Sequence, residues 1–174
     1  LDGALKKEGR KGLPAEYPDQ AYKPYWKTWG MNSLDGTGEF TIQEVTDKMD
    51  QLADYGFTAV MLDDGWFDML GRWDPDPGKF SSEQAFIDFV QQAHKAQWGQ
   101  HKDKSLKVYL WFDLLGTNTA EGLDHLLVKN RDGSLYRSRQ SKYAFCPSSP
   151  QFISFARDTL LEKIIHRWDV DGLY

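Results

Sequence analysis

Two acidic residues and a tryptophan directly follow an apolar segment of this sequence. Asp63 and Asp64 come after residues 57–62, and Gly65 and Trp66 follow them. Carboxylate oxygens accept hydrogen bonds from hydroxyl groups, and an indole ring packs against the C–H face of a sugar. Because side chains alternate along a strand, both carboxylates reach one ligand only where the chain curls, which Gly65 permits. These residues predict a sugar-binding corner; the alternative is a polar strand end with a buried tryptophan.

Two further candidates end another apolar segment, residues 106–112. Trp111 and Asp113 lie two positions apart, so alternation places both side chains on one face of a predicted strand. A tryptophan with an acid at the rim of a sheet fits a ligand pocket. The structural alternative is that Trp111 fills the interior and Asp113 caps a helix.

The loop after the acidic pair carries Arg72 and Trp73, which could supply a wall or a hydroxyl contact to the same pocket. Arg72 could equally form a structural ion pair with Asp64 or Asp68. The predicted substrate-binding residues are Trp29, Asp63, Asp64, Trp66, Trp73, Trp111 and Asp113.

Extended and helical patterns alternate along the chain. Strands are predicted over residues 25–31, 57–62, 106–112 and 170–174. Helices are predicted after a capping box at Thr41 and Glu44, after a second box at Ser81 and Gln84, and over residues 150–168. Such alternation is typical of a parallel sheet with crossover helices.

Two architectures fit this pattern, an open doubly wound sheet and a (β/α)₈ barrel. The first strand–helix turn lacks a glycine-rich nucleotide fingerprint, and the polar residues gather where strands end, as in a barrel. A complete barrel needs about 250 residues. We therefore expect a (β/α)₈ fragment of about four units, with residues 1–23 as a linker or tail and residues 24–174 as the first half of a catalytic domain.

Composition excludes several classes of protein. The net charge of −5 argues against a nucleic-acid binder, and no apolar run approaches the roughly 18 residues of a membrane span. One cysteine rules out a disulfide framework, and no histidine pair has metal-ligand spacing. We expect no cofactor and no metal.

Several motifs together resemble a known enzyme group. Residues 26–30 (WKTWG), 62–66 (LDDGW), 79–80 (KF) and 108–111 (VYLW) are similar to the first three strands of clan-D glycoside hydrolases of the α-galactosidase and raffinose-synthase (melibiase) type. The resemblance covers residues 24–174, and residues 146–150 (CPSSP) depart from the pattern.

The resemblance implies a (β/α)₈ barrel that hydrolyses or transfers α-linked galactose with retention. It implies that Asp63 and Asp64 hold sugar hydroxyls and that Trp66 lines the pocket. The group's nucleophile follows the fourth strand and its acid/base lies late in the barrel, so no catalytic residue is expected in these 174 residues. Residues 171–174 resemble the lead-in to the nucleophile, and the chain alone is expected to be inactive.

Other functions remain open at this point. One is a non-catalytic carbohydrate-binding module with Trp26, Trp66 and Trp111 as platforms; others are an unrelated barrel hydrolase with Asp63 as base and an engineered half-barrel. The expected partner is an oligosaccharide or glycoside, with no nucleic acid and no membrane. Half a barrel leaves two open sheet edges, so self-association or pairing with the remainder of the barrel is also expected.

Overall fold

The computed structural model describes residues 23–31, 40–138 and 142–174. The predicted tail lies outside these ranges, apart from Lys23. The elements, in chain order, are β1 (Tyr25–Lys27), a 3₁₀ turn (Thr28–Gly30), α1 (Ile42–Asp54), β2 (Ala59–Leu62), α2 (Glu83–His94), β3 (Lys107–Leu110), β4 (Gly116–Thr117), a second 3₁₀ turn (Asp124–Leu126), β5 (Tyr143–Ala144), α3 (Pro150–Phe155), which continues as a π-helix (Ala156–Arg167), and β6 (Gly172–Leu173).

A parallel sheet of four strands organises the described residues, in the order β1-β2-β3-β6. This confirms the predicted α/β architecture with parallel strands. The four strands form an open sheet rather than a closed barrel. All four are shorter than predicted. β1 ends at Lys27 because residues 28–30 turn into a 3₁₀ conformation instead of continuing along β2.

The first helix begins with the predicted capping box. The Thr41 hydroxyl accepts a hydrogen bond from the Glu44 N–H, and the Glu44 carboxylate accepts one from the Thr41 N–H. These bonds satisfy backbone donors that have no partner within the helix. Gly56, just past the end of α1, has a φ of +84°, a conformation that favours glycine.

The predicted cap of the second helix is wrong by one residue. Ser82 rather than Ser81 caps α2, since its hydroxyl accepts a 3.1 Å hydrogen bond from the Ala85 N–H. The Gln84 side chain does not reach back to close a box, because its amide donates forward to the Asp88 carboxylate. The helix predicted over residues 150–168 is present as α3 and the π-helix that continues it.

The main core lies between the sheet and the helices. Alternate residues of β2 and β3, among them Val60, Leu62, Val108 and Leu110, are fully buried against α1, α2 and the π-helix. Met61 is buried on the other face, so β2 is covered on both sides, as expected for a central parallel strand.

A smaller core supports the long excursion between β3 and α3. β4 and β5 pair antiparallel, and a separate cluster of buried residues packs beneath them: Leu123, Leu126, Leu127, Phe145, Phe152 and Ala156. The predicted turn at residues 130–133 is present, since the Gly133 N–H donates to the Asn130 carbonyl. The described helices include none with the length and apolar character needed to cross a bilayer.

Candidate functional site

The acidic pair lies where β2 ends and the chain turns. The Asp63 N–H donates a 2.9 Å hydrogen bond to the Thr28 hydroxyl at the end of β1. The Asp64 N–H donates a 2.8 Å bond to Oδ1 of Asp63. Gly65 has a φ of +96°, which a side chain would strain, so it allows the sharp turn that the sequence predicted. The acidic corner, as we call Asp63 and Asp64, is thus anchored on two neighbouring strands.

Asp63 is the buried member of the acidic corner. Only 2% of the residue is exposed, and the Lys27 ammonium lies 2.9 Å from its Oδ2. The hydrogen bond to the Asp63 carboxylate raises the pKa of Lys27 above its usual value, against a smaller opposing effect of desolvation. The cation therefore compensates a carboxylate that would be costly to bury alone.

Asp64 is the exposed member of the corner. Its carboxylate has no hydrogen-bond or ion-pair partner within residues 23–31, 40–138 and 142–174. Adjacent acids have therefore taken different positions, one beneath the surface and one on it. The Asp64 carboxylate is free to accept hydrogen bonds from ligand hydroxyls.

Aromatic rings flank the Lys27 ammonium. The Trp29 ring centroid is 5.7 Å from Nζ and the Tyr174 centroid is 5.4 Å away. Trp29 is 56% exposed and is the most exposed of the seven tryptophans. It is the indole at this edge of the sheet with most of its surface open to a ligand.

Two of the predicted pocket residues, Trp66 and Trp73, are fully buried. Their rings stack 5.9 Å apart, and the Trp66 indole N–H donates to the Trp111 carbonyl. The loop after Trp66 folds back, since the Asp76 N–H donates to the Trp66 carbonyl. Neither ring presents a surface to a ligand, so both belong to the packing beneath the site. This corrects their expected position.

Trp111 and Asp113 follow β3, the strand next to the acidic corner, but both side chains already contact other residues of the protein. The Trp111 N–H donates to the Leu62 carbonyl, so the ends of β2 and β3 are adjacent. The Lys142 ammonium lies 5.9 Å from the Trp111 ring centroid and 3.9 Å from Oδ2 of Asp113. The other oxygen of Asp113 accepts N–H bonds from Leu115 and Gly116, which gives this acid a turn-capping role.

Arg72 is exposed and forms no ion pair with Asp64 or Asp68 among the described residues. Its backbone carbonyl instead accepts a hydrogen bond from the Lys163 ammonium, which also pairs with Asp74 at 2.7 Å. The structural ion pair offered as an alternative for Arg72 is therefore absent in the described structure.

Sequence reasoning missed Lys27, Thr28 and Tyr174. Lys27 pairs in register with Met61, two positions before Asp63, and so lies on the face to which Asp63 belongs. A lysine in a short strand, opposite the strand that runs into two acids, is the signal that could have identified it. Tyr174 directly follows β6, so it lies at the carboxyl end of that strand. Within residues 23–31, 40–138 and 142–174, no three histidine, cysteine or acidic side chains are grouped so as to hold a metal ion.

Comparison with solved structures finds glycoside hydrolases. The α-galactosidase TtGalA from Thermus thermophilus matches with a TM-score of 0.66 and 18% identity over 87% of this chain and 30% of its own. The α-galactosidase from Lactobacillus brevis matches with a TM-score of 0.67 and 18% identity over 87% of this chain and 20% of its own. The chain has an α-galactosidase-like fold. The resemblance drawn from the sequence is thereby confirmed for the fold.

Sequence comparison finds shorter matches. The A type blood α-D-galactosamine galactosaminidase of Flavonifractor plautii is 34% identical over 67 residues, 38% of this chain and 6% of that protein. The 1,4-α-glucan branching enzyme GlgB of Nitratidesulfovibrio vulgaris (strain DP4) is 30% identical over 108 residues, 56% of this chain and 17% of that enzyme. No family model matches the α-galactosidase-like chain. It spans less than a third of each of these relatives and of both α-galactosidases.

Proposed function

We propose that this chain forms the sugar-binding half of the catalytic barrel of a retaining glycoside hydrolase that acts on α-linked galactose. The observation that carries the proposal is the acidic corner at the carboxyl ends of parallel strands, where Asp64 is exposed without a partner among the described residues. The Lys27 ammonium, which pairs with Asp63, lies 5.7 Å from the ring of exposed Trp29. The carboxyl ends of the strands are where barrel enzymes bind their substrates. In support, α-galactosidases of this fold include TtGalA in complex with p-nitrophenyl α-D-galactopyranoside and with stachyose.

In this proposal the described residues bind and orient the sugar. Asp64 accepts hydrogen bonds from hydroxyl groups of the galactose unit, and Trp29 offers an apolar surface to its C–H face. Binding contacts that are fully formed only in the transition state raise the rate as well as the affinity. Asp63 contributes indirectly, because its side chain is only 3% exposed, and its carboxylate pairs with Lys27 and accepts the Asp64 N–H.

The bond cleavage itself is proposed to use residues outside this sequence. A retaining glycosidase needs a nucleophile and an acid/base whose carboxyl groups lie about 5–5.5 Å apart. Residues 24–174 are proposed to form half of an eight-stranded barrel, and the four parallel strands of the described residues support this. The remaining strands would supply both catalytic carboxyls, so the 174-residue chain alone is proposed to be inactive.

A second candidate substrate is an α-linked amino sugar. The matched galactosaminidase acts, by its name, on galactosamine, and the free Asp64 carboxylate could pair with a sugar ammonium as readily as accept from a hydroxyl. The galactosaminide and an α-glucan, which the matched branching enzyme suggests, are therefore comparison substrates for the test.

The test is hydrolysis of p-nitrophenyl α-D-galactopyranoside by the 174-residue chain and by a longer form of the protein that continues past Tyr174. We expect turnover only from the longer form. In that form Asp64→Asn should lower kcat/KM by about 100-fold, because a charged acceptor of substrate hydroxyls is lost. The matched control is Asp103→Asn. Asp103 is an exposed acid that precedes β3, so it lies toward the amino ends of the strands, opposite the acidic corner.

Near-normal kcat/KM of Asp64→Asn on every α-glycoside would refute the assigned role of the acidic corner. Turnover of the galactosaminide or the α-glucan but not of the galactoside would replace the proposed substrate. Tight galactose binding by the chain alone, without turnover by the longer form, would favour a carbohydrate-binding module instead.

A further inference from the structure

We propose that Lys27 is a positioning residue of this site, which holds Asp63 so that Asp64 faces the sugar. The inference rests on the proposed function and extends it to a residue of β1. The sequence analysis gave Lys27 no role at the site, and its assignment comes from the contacts that the folded chain makes.

The first step is the pair of contacts that the Asp63 carboxylate makes, an ion pair with Lys27 and a hydrogen bond from Asp64. Its Oδ2 lies 2.9 Å from the Lys27 ammonium and its Oδ1 accepts the Asp64 N–H at 2.8 Å. Because the two oxygens belong to one planar group, fixing one of them fixes the other. Lys27 therefore sets the orientation of the carboxylate that the Asp64 backbone is bonded to.

The second step is burial. Asp63 is 2% exposed, and Lys27 is the cation that pairs with its carboxylate in the described residues. A buried carboxylate without such a partner is strongly unfavourable, so loss of Lys27 would drive Asp63 to rotate or draw water into the corner. Rotation breaks the bond to the Asp64 N–H, and water in the corner competes for it, so either response loosens Asp64.

The third step is the place of Lys27 among the strands. Its ammonium lies between the end of β1 at Trp29, the end of β2 at Asp63 and the end of β6 at Tyr174. An ammonium has three donors, and the Lys27 side chain is 35% exposed, so the group is accessible from the ligand side. One cation thus links the exposed indole to the acidic corner.

The test compares Lys27→Met, which keeps the length but removes the charge, with Lys27→Arg, which keeps the charge. The matched control is Lys102→Met, because Lys102 also pairs with an aspartate, Asp50, but at a distance from the site. Two measurements are made: the exchange rate of the Asp64 amide proton in the 174-residue chain, and kcat/KM for p-nitrophenyl α-D-galactopyranoside in the longer form.

We expect Lys27→Met to speed Asp64 amide exchange and to lower kcat/KM by about ten-fold or more. Lys27→Arg should change the Asp64 exchange rate and kcat/KM less than Lys27→Met does. Lys102→Met should leave both quantities unchanged. If Lys27→Met folds poorly, the double variant Lys27→Met/Asp63→Asn removes the buried charge together with its partner. It should regain thermal stability without regaining kcat/KM.

Unchanged exchange and unchanged kcat/KM in a folded Lys27→Met variant would overturn the inference. So would full recovery of kcat/KM in the double variant, since Lys27 would then matter only as a charge partner. A wild-type protein that turns over no α-glycoside would instead refute the proposed function. In that case faster Asp64 amide exchange in Lys27→Met would still support the inference that Lys27 positions the acidic corner.

Discussion

At the scale of single residues, neighbours in the sequence have unlike roles. Asp63 is buried and ion-paired with Lys27, whereas Asp64 is exposed and free of partners in the described structure. Their types are identical and their positions differ by one. The difference arises because side chains at a strand end point to opposite sides and the turn at Gly65 begins immediately afterwards.

Another acid, Asp171, makes the fold itself dependent on pH. Its carboxylate lies 2.6 Å from the Lys107 ammonium and 2.7 Å from Nε2 of His94, and it accepts the Val108 N–H. Desolvation alone would raise the pKa of Asp171, but these bonds, led by that of Lys107, outweigh it and lower the pKa. The group lies at the amino ends of β3 and β6, away from the acidic corner.

We expect Asp171→Asn to lower the free energy of unfolding by about 1–3 kcal/mol at neutral pH. Because the folded pKa lies below the unfolded value of about 3.9, this contribution is present above that value and is lost as pH falls through the folded pKa. Urea unfolding from pH 7 to acid should show the two proteins converging. A difference that persisted at the lowest pH would contradict the assignment; Asp103→Asn, an exposed acid, is the control.

At the scale of elements, local sequence decided where helices begin more firmly than where strands end. The Thr41 and Glu44 box starts α1 as predicted, since its bonds span only three residues. The end of β1 was placed too late, because a strand continues only while its neighbour pairs with it. Such pairing is a tertiary contact that the pattern of one segment does not contain.

The cap of α2 gives a test at this scale with its own control. Ser82→Ala should lower the free energy of unfolding by about 1 kcal/mol, because the Ala85 N–H loses its acceptor. Ser81→Ala should have little effect, although the sequence pattern favoured that residue as the cap. Chemical unfolding of the two variants distinguishes them, and a larger loss for Ser81→Ala would show that the helix begins one residue earlier.

At the scale of the whole molecule, the sheet is open within the described residues. β1 and β6 each pair on one side only. The exposed rings of Tyr25, in β1, and Tyr174, after β6, lie 6.3 Å apart on one face of the sheet. An open edge offers unpaired backbone groups to another strand. We therefore propose that the 174-residue chain associates with itself when no further barrel strands are present.

Sedimentation velocity should show a mass that rises with concentration above the 20.1 kDa of one chain. Tyr25→Lys places a charge on edge strand β1, on the face where the Tyr25 ring contacts Tyr109 and Tyr174, and should reduce association. Tyr55→Lys, at the exposed end of α1 and away from both edges, is the matched control. A single 20.1 kDa species at every concentration would disprove the proposal.

The sequence by itself determined the features that depend on interactions between residues close together in the chain. It placed the alternation of strands and helices, the capping box at Thr41, and the curl of the chain after the acidic pair at Gly65. Each depends on backbone geometry or on hydrogen bonds between residues a few positions apart. Its family-like motifs also indicated the α-galactosidase-like fold.

Only the tertiary structure decided which of the candidate residues are exposed at the protein surface. Trp66 and Trp73 lie in the core because they pack on each other and against Phe86 and Phe112, whereas Trp29 stays exposed. Lys27 reaches Asp63 across the boundary of two strands, although 36 positions of sequence separate them. Burial and ion pairing are set by how segments pack together, and composition or spacing within one segment carries no record of that packing.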